Sequence, residues 1–190
     1  MSSPDRRTLF DEPRLSLTLR RLVAQVLERH PGFEDCCLIG LQPRGVNLSR
    51  RIHRLIGAEL KPKSILYGEL DVTFHRDDFR MRQVSLEGSA LPQETRIDFD
   101  IEGKHVVLAD DVLYTGRTIR AALDALLAFG RPRSVELMCL IDRLRRRELP
   151  IEPHYVGLQV ETLSSEKVLV EWAELHGADQ VYLQQRTTAQ

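Results

Sequence analysis

Thirteen consecutive residues, Val106-Val107-Leu108-Ala109-Asp110-Asp111-Val112-Leu113-Tyr114-Thr115-Gly116-Arg117-Thr118, constrain this chain more than any other part of it. The apolar run at their start, set between Gly103-Lys104 and an acidic turn at Asp110-Asp111, predicts a strand at His105 to Ala109 buried on both faces. Thr115-Gly116-Arg117-Thr118 then stands at the mouth of a helix predicted over Arg117 to Phe129, rich in alanine and leucine and stopped by Gly130 and Pro132.

The flanking segments repeat that alternation. Apolar residues at Leu15, Leu19, Leu22, Val23, Val26 and Leu27 form one stripe of a helix from Arg14 to His30, ended by Pro31-Gly32. Cys36 to Leu41 is a short apolar run before Pro43 and Gly45, hence a buried strand leaving its sheet through a loop, and Val46 to Ile56 is a second helix. Strands are expected at Ser64 to Phe74 and Ser134 to Ile141, with shorter ones at Tyr155 to Val160, Val168 to Trp172 and Gln180 to Leu183. Strand, helix, strand in succession means βαβ units, so the fold class is α/β, with a mainly parallel sheet covered by helices on both faces. One domain over residues 1–190 is expected, with 1–13 a flexible N-terminal arm. His75 to Arg96 has almost no apolar periodicity and reads either as a functional lid or as a solvated hairpin arm.

Small and hydroxyl residues at a helix start offer free N–H groups, side-chain hydroxyls and the positive helix end, a combination suited to a phosphate monoester. Two carboxylates directly upstream would repel a polyphosphate lying over both, so a spacer is needed. A ribose supplies one: its hydroxyls donate to Asp110 and Asp111 while its 5-phosphate rests on Thr115 to Thr118. Fixed negative charge also stabilises an anomeric carbon that turns cationic as a leaving group departs. The plainer alternative is that the two acids only turn the chain and Thr115 only caps a helix. Neither GxxxxGK[ST] nor GxGxxG occurs, which leaves out the common nucleotide loops.

Charge excludes a further class. With 27 basic and 28 acidic side chains the formal net charge is -1, so no sequence-wide field attracts nucleic acid. The three cysteines, two of them adjacent, have no CxxC spacing and are expected to be reduced core residues. No apolar window reaches membrane-spanning length and the amino terminus lacks a secretory h-region, so no membrane partner and a cytoplasmic location are expected. The six histidines show no metal-ligand spacing.

VVLADDVLYTGRT resembles the signature with which type I phosphoribosyltransferases bind phosphoribosyl pyrophosphate (PRPP). LIGLQPRGVNLSRRI resembles the pyrophosphate loop of the PyrR family, LDVTFHRDDF its flexible loop, and DDVLYTGRTIRAALDAL its PRPP loop; FGRPRSVELMCLIDR, RELPI and SSEKV follow in that family's order. The resemblance implies a parallel sheet core with a small hood and a flexible lid loop, and the reaction of uracil with PRPP to give UMP and pyrophosphate. It implies that Asp110 and Asp111 are catalytic, that Asp110 through Val112, Leu113, Tyr114, Thr115, Gly116, Arg117 and Thr118 bind PRPP or nucleotide, and that Pro43, Arg44 and Gly45 face the pyrophosphate. Arg76, Asp77 and Asp78 would lie on the flexible loop, and Ile141, Asp142 and Arg143 on the base side. Mg2+ would come with PRPP near Asp110 and Asp111, with no direct protein ligand assigned. Relatives of this kind are commonly homodimers or larger assemblies, and regulate pyrimidine operons by binding leader RNA.

The chain departs from that family after the base-side strand. The familiar DRGHREL is replaced by Asp142-Arg143-Leu144-Arg145-Arg146-Arg147-Glu148-Leu149, with the glycine-histidine pair lost and one residue gained. Arg145 to Arg147 reads either as an RNA patch or as a solvated loop. Alternatives therefore stand beside uracil transfer: a UMP-sensing RNA-binding attenuator with little catalysis, or transfer to another base.

Overall fold

The computed structural model describes residues 6–60, 65–73 and 94–185. Its elements are β1 (Arg6–Phe10), α1 (Glu12–Arg29), β2 (Cys36–Leu41), α2 (Gly45–Leu60), β3 (Leu66–Leu70), β4 (His105–Leu113), α3 (Arg117–Leu126), β5 (Ser134–Leu144), β6 (Tyr155–Glu161), β7 (Glu166–Glu171), α4 (Ala173–His176) and β8 (Gln180–Gln185). Five strands form a parallel sheet in the order β3-β2-β4-β5-β6.

Alternation along the central strands builds two cores. Cys36 and Leu38 of β2 join Val107 and Ala109 of β4 on the face covered by Leu22 and Val26 of α1 and Ile52 of α2. Cys37, Ile39 and Leu41 join Val106 and Leu108 on the opposite face, under Ile119, Ala122 and Leu126 of α3. This is the expected fold, a parallel sheet with helices on both faces. Each fully buried leucine or isoleucine stabilises it by about 1.5–3 kcal/mol relative to exposure. Burial also pushes the Cys36 and Cys37 thiols up to about 12, which keeps them protonated core residues.

β1, β8 and β7 form a separate antiparallel sheet, the hood. The expected arm at residues 1–13 is corrected here from Arg6 onward: Arg6 to Phe10 pairs with β8, and Asp11 caps α1 by accepting from the Arg14 N–H at 3.0 Å. Phe10 is buried, so this strand is held by the core and not only by its ladder. Trp172, Val181 and Leu183 of the hood region pack into the α1–α2 core. Arg51 of α2 joins sheet and hood: it meets Asp179 at 2.6 Å and Glu174 at 2.6 Å, with its guanidinium 4.7 Å from the Trp172 ring centre.

A second correction concerns β4. The acidic turn expected at Asp110-Asp111 is strand, and pairing continues with Asp110 opposite Cys139, Val112 opposite Ile141 and Leu113 opposite Asp142. Turn propensity of the acids is overridden because β5 runs on alongside and accepts the ladder past Ala109, where pairing with β2 ends. Among the described residues no helix is long and apolar enough to cross a membrane.

Candidate active site at the carboxyl edge of the sheet

β2, β4 and β5 all end at one edge of the parallel sheet, the edge where open α/β sheets bind ligands. Pro43 and Arg44 leave β2 exposed at this edge, and the Gln42–Pro43 peptide is cis. Gly45 starts α2 hard against β4: a Cβ there would lie 2.3 Å from the Ala109 carbonyl oxygen and 2.9 Å from the Asp110 Cα. Only a residue without a side chain lets the β2 loop reach the acids.

Asp110 and Asp111 are both buried. Adjacent on a strand, they project to opposite faces, and the Asp110 carboxylate accepts from the Asp111 N–H at 2.9 Å. Burial holds the Asp111 carboxyl above the ordinary carboxylate range, while the Arg44 charge draws it partly back. Such a group is ready for a cationic or hydroxyl-bearing partner, which would lower the cost of its charge.

Past β4 the chain passes through half-buried Tyr114 and Thr115 to Gly116, whose φ of +91° is left-handed. Gly116 is the N-cap of α3 and supplies no side-chain cap, while the Thr115 hydroxyl accepts from the Arg117 N–H at 3.4 Å. Thr118 lies half-buried in the first helical turn. The helix start therefore faces the same edge as the two acids, in the order read from the sequence.

Beneath that turn lies the segment after β5. Arg147 donates from Nη1 to the Tyr114 carbonyl at 2.5 Å, from Nε to the Ile151 carbonyl at 2.9 Å, and from Nη2 to the Asp142 carboxylate. The Glu148 N–H donates to the Thr115 carbonyl at 3.0 Å, and the Glu148 carboxylate pairs with Arg117 at 2.6 Å.

Ile141, Asp142 and Arg143, assigned to the base side, do end beside the acids, but all three are buried. Asp142 is engaged by Arg147 and by the Gln159 amide at 3.3 Å. The Arg143 guanidinium stands 4.2 Å from the centre of the Tyr114 ring and donates to the Thr162 hydroxyl at 3.0 Å and the Glu166 carbonyl at 3.0 Å. The Arg145 to Arg147 run is split: Arg145, exposed, pairs with Glu161 and Arg146 donates to the adjacent Thr162 carbonyl at 2.7 Å, while Arg147 points inward to the Tyr114 turn. Arg145 adopts φ of +57°, the left-handed turn that a glycine takes without strain. Sequence reading missed Arg147 and Glu148 as site supports; the signal was their closeness to the base-side strand, obscured by the uniform charge of the run.

Arg76, Asp77 and Asp78, expected on the flexible loop, lie outside the described residues. Among the described residues no three His, Cys, Asp or Glu side chains converge as a metal site.

Residues 5–174 match the family model described as the phosphoribosyl transferase domain. The chain is 40% identical over 182 residues to the Bifunctional protein PyrR of Halalkalibacterium halodurans, covering 96% of this chain and 99% of that one. It is 45% identical over 183 residues to the Bifunctional protein PyrR of Thermus thermophilus, covering 95% and 97%. Among solved structures it resembles a hypoxanthine-guanine phosphoribosyltransferase of Bacillus anthracis, at 18% identity, TM-score 0.69 and coverage of 96% and 99%. A hypoxanthine phosphoribosyltransferase of Trypanosoma cruzi solved with IMP gives 14% identity, TM-score 0.68 and coverage of 97% and 92%. The two structural likenesses speak for the fold.

Proposed function

The chain belongs to the phosphoribosyltransferase family and, within it, to the PyrR bifunctional proteins, and from that premise we propose that it transfers phosphoribose from PRPP to uracil, giving UMP and pyrophosphate. The observation that carries the reading is the pair of buried carboxylates, Asp110 and Asp111, one short turn upstream of the left-handed Gly116 that opens α3. The distance between acid and helix start along the chain leaves room for a pentose between them.

In this reading the first turn of α3 and the hydroxyls of Thr115 and Thr118 hold the 5-phosphate. Asp110 and Asp111 accept from the ribose hydroxyls and stabilise positive charge as the bond to pyrophosphate breaks and the bond to the base nitrogen forms. Arg44, a permanent cation at the end of β2, takes the charge of the departing pyrophosphate. Mg2+ fits this site as a companion of the substrate: the acids are hard oxygen donors, and since no third ligand converges on them among the described residues, most of its coordination would come from phosphates and water. Bound there, it would neutralise phosphate charge.

Tyr114 supports a pyrimidine. Purine-using members of the superfamily commonly place an aspartate at this position to handle a ring nitrogen, whereas here an aromatic ring is covered by Arg143. The deciding experiment is a PRPP assay against uracil, cytosine, hypoxanthine, guanine and adenine with pyrophosphate detection. Uracil turnover well above the others is expected, and preference for any other base removes this assignment.

The regulatory half of the proposal is that UMP in this site promotes binding to pyrimidine-operon leader RNA. It draws support from the relatives, both named bifunctional, and not from the arginine run, of which Arg147 is turned inward and Arg145 is paired with Glu161. Filter binding at stated salt, with and without UMP, tests it, and RNA retention indifferent to UMP would remove it. A cytoplasmic enzyme acting as a homodimer or larger homo-oligomer is the setting proposed for both roles.

A further inference from the structure

We infer that the segment from Arg147 to Ile151 is a positioning shelf that turns the backbone N–H groups of the 114–118 turn toward the phosphate, with Asp142 as the counter-charge that locks Arg147 in place. The inference rests on the reading of that turn as the phosphate cradle. The ladder between β4 and β5 ends at the pair Leu113 and Asp142, so the next carbonyls of the turn, Tyr114 and Thr115, have no strand to accept from. The shelf supplies both donors, the Arg147 guanidinium to Tyr114 at 2.5 Å and the Glu148 N–H to Thr115 at 3.0 Å.

A trans peptide is planar, and its C=O points opposite to the N–H of the following residue. Fixing the Tyr114 and Thr115 carbonyls onto the shelf therefore turns the N–H groups of Thr115 and Gly116 to the other side, where an anion can be received. Arg147 cannot swing away, because Nε is held by the Ile151 carbonyl at 2.9 Å and Nη2 by the Asp142 carboxylate. Contact completes the fit: a Cβ on Gly116 would lie 3.2 Å from Ile151 Cδ1 and 3.5 Å from Leu149 Cβ, so the turn rests directly on the shelf. Asp142 is thus committed to the arginine, which accounts for its burial on what the sequence suggested was the base side.

The test is calorimetric binding of PRPP with Mg2+, together with separate KM values for PRPP and uracil, on the parent protein, Arg147→Ala and Arg147→Lys. Loss of the fork is expected to weaken PRPP binding by about tenfold or more. The KM for PRPP should rise with it while that for uracil changes little. Methylguanidinium should restore PRPP affinity to Arg147→Ala and methylammonium should not, a rescue that a general loss of stability would not show. Should Arg147→Ala fail to fold, Arg147→Lys keeps the charge and stem but loses the fork, and is expected to show the same selective loss. A folded variant that binds PRPP within about twofold of the parent overturns the shelf. A parent protein that binds PRPP yet ignores uracil overturns the base assignment alone, and the variant comparison still decides the shelf; a parent that binds no PRPP removes both.

Discussion

Gly45 lies so close to Ala109 that a single methyl on its α-carbon would stand 2.3 Å from the Ala109 carbonyl oxygen. This contact joins two segments 64 positions apart in the chain, the loop after β2 and the acids at the end of β4. The loop carrying Arg44 can approach the carboxylates only because the residue after it has no side chain.

Gly45→Ala should therefore act on both stability and chemistry. Overpacking against rigid strand backbone is expected to cost about 1–3 kcal/mol. Displacing Arg44 by about an ångström should lower kcat/KM by about a hundredfold. Thermal melts and PRPP kinetics measure the two effects, and an alanine variant with parental activity would show that the loop does not need this approach.

Asp111→Asn is expected to lower turnover by about a hundredfold while changing PRPP affinity much less, because its charge matters most when the anomeric carbon is cationic. Its effect on stability should have the opposite sign. Burial raises the folded carboxyl above its unfolded range, so between the two the native state holds more protons than the unfolded state and stability falls as pH rises. At neutral pH the asparagine protein should melt higher than the parent, with the difference shrinking as pH falls toward the ordinary carboxylate range. Melting curves from pH 4 to pH 8 without ligand check this, and a gap that grows on acidification contradicts it.

At the opposite edge of the sheet, Glu136 is buried and accepts from Tyr155 at 2.5 Å, His30 at 2.9 Å and Arg29 at 2.9 Å. Although burial opposes its charge, the Tyr155 and His30 hydrogen bonds and the nearby charges hold its carboxyl below the ordinary range. The stability this contributes is present above the unfolded range and is lost as pH falls through the folded one. Glu136→Gln should cost about 1–3 kcal/mol at pH 7 in urea unfolding and much less near pH 4, with PRPP kinetics unaltered. An equal cost at both pH values would assign the effect to shape and not to charge.

Arg51 ties α2 to the hood through Asp179, Glu174 and the Trp172 ring. Arg51→Met keeps the stem and removes the fork, leaving Asp179 partly buried without its cation, at an expected cost of about 3 kcal/mol. Hydrogen exchange should quicken in β7, β8 and β1 before the parallel sheet, since only the hood loses its tie. Uniform acceleration across both sheets would mean that hood and core open as one unit.

The sequence by itself determined the parallel sheet, its two helical layers and the order of acids, turn and helix in the candidate site. These follow from periods of two and 3.6 residues and from turn residues, which are local properties and survive without knowledge of distant neighbours. Only the tertiary structure decided that Arg6 to Phe10 is a hood strand, since its partner β8 lies at the far end of the chain. Tertiary contacts likewise kept Asp110 and Asp111 in a strand, with β5 present to pair beyond them. The three arginines at 145–147 show the limit most sharply: identical in charge and adjacent in sequence, they are separated by a left-handed backbone at Arg145 and by acceptors on two distant segments, Glu161-Thr162 for the first two and the Tyr114 turn for Arg147. A side chain's role there is set by which unpaired carbonyl or carboxylate lies within reach, and that is fixed by packing between distant elements.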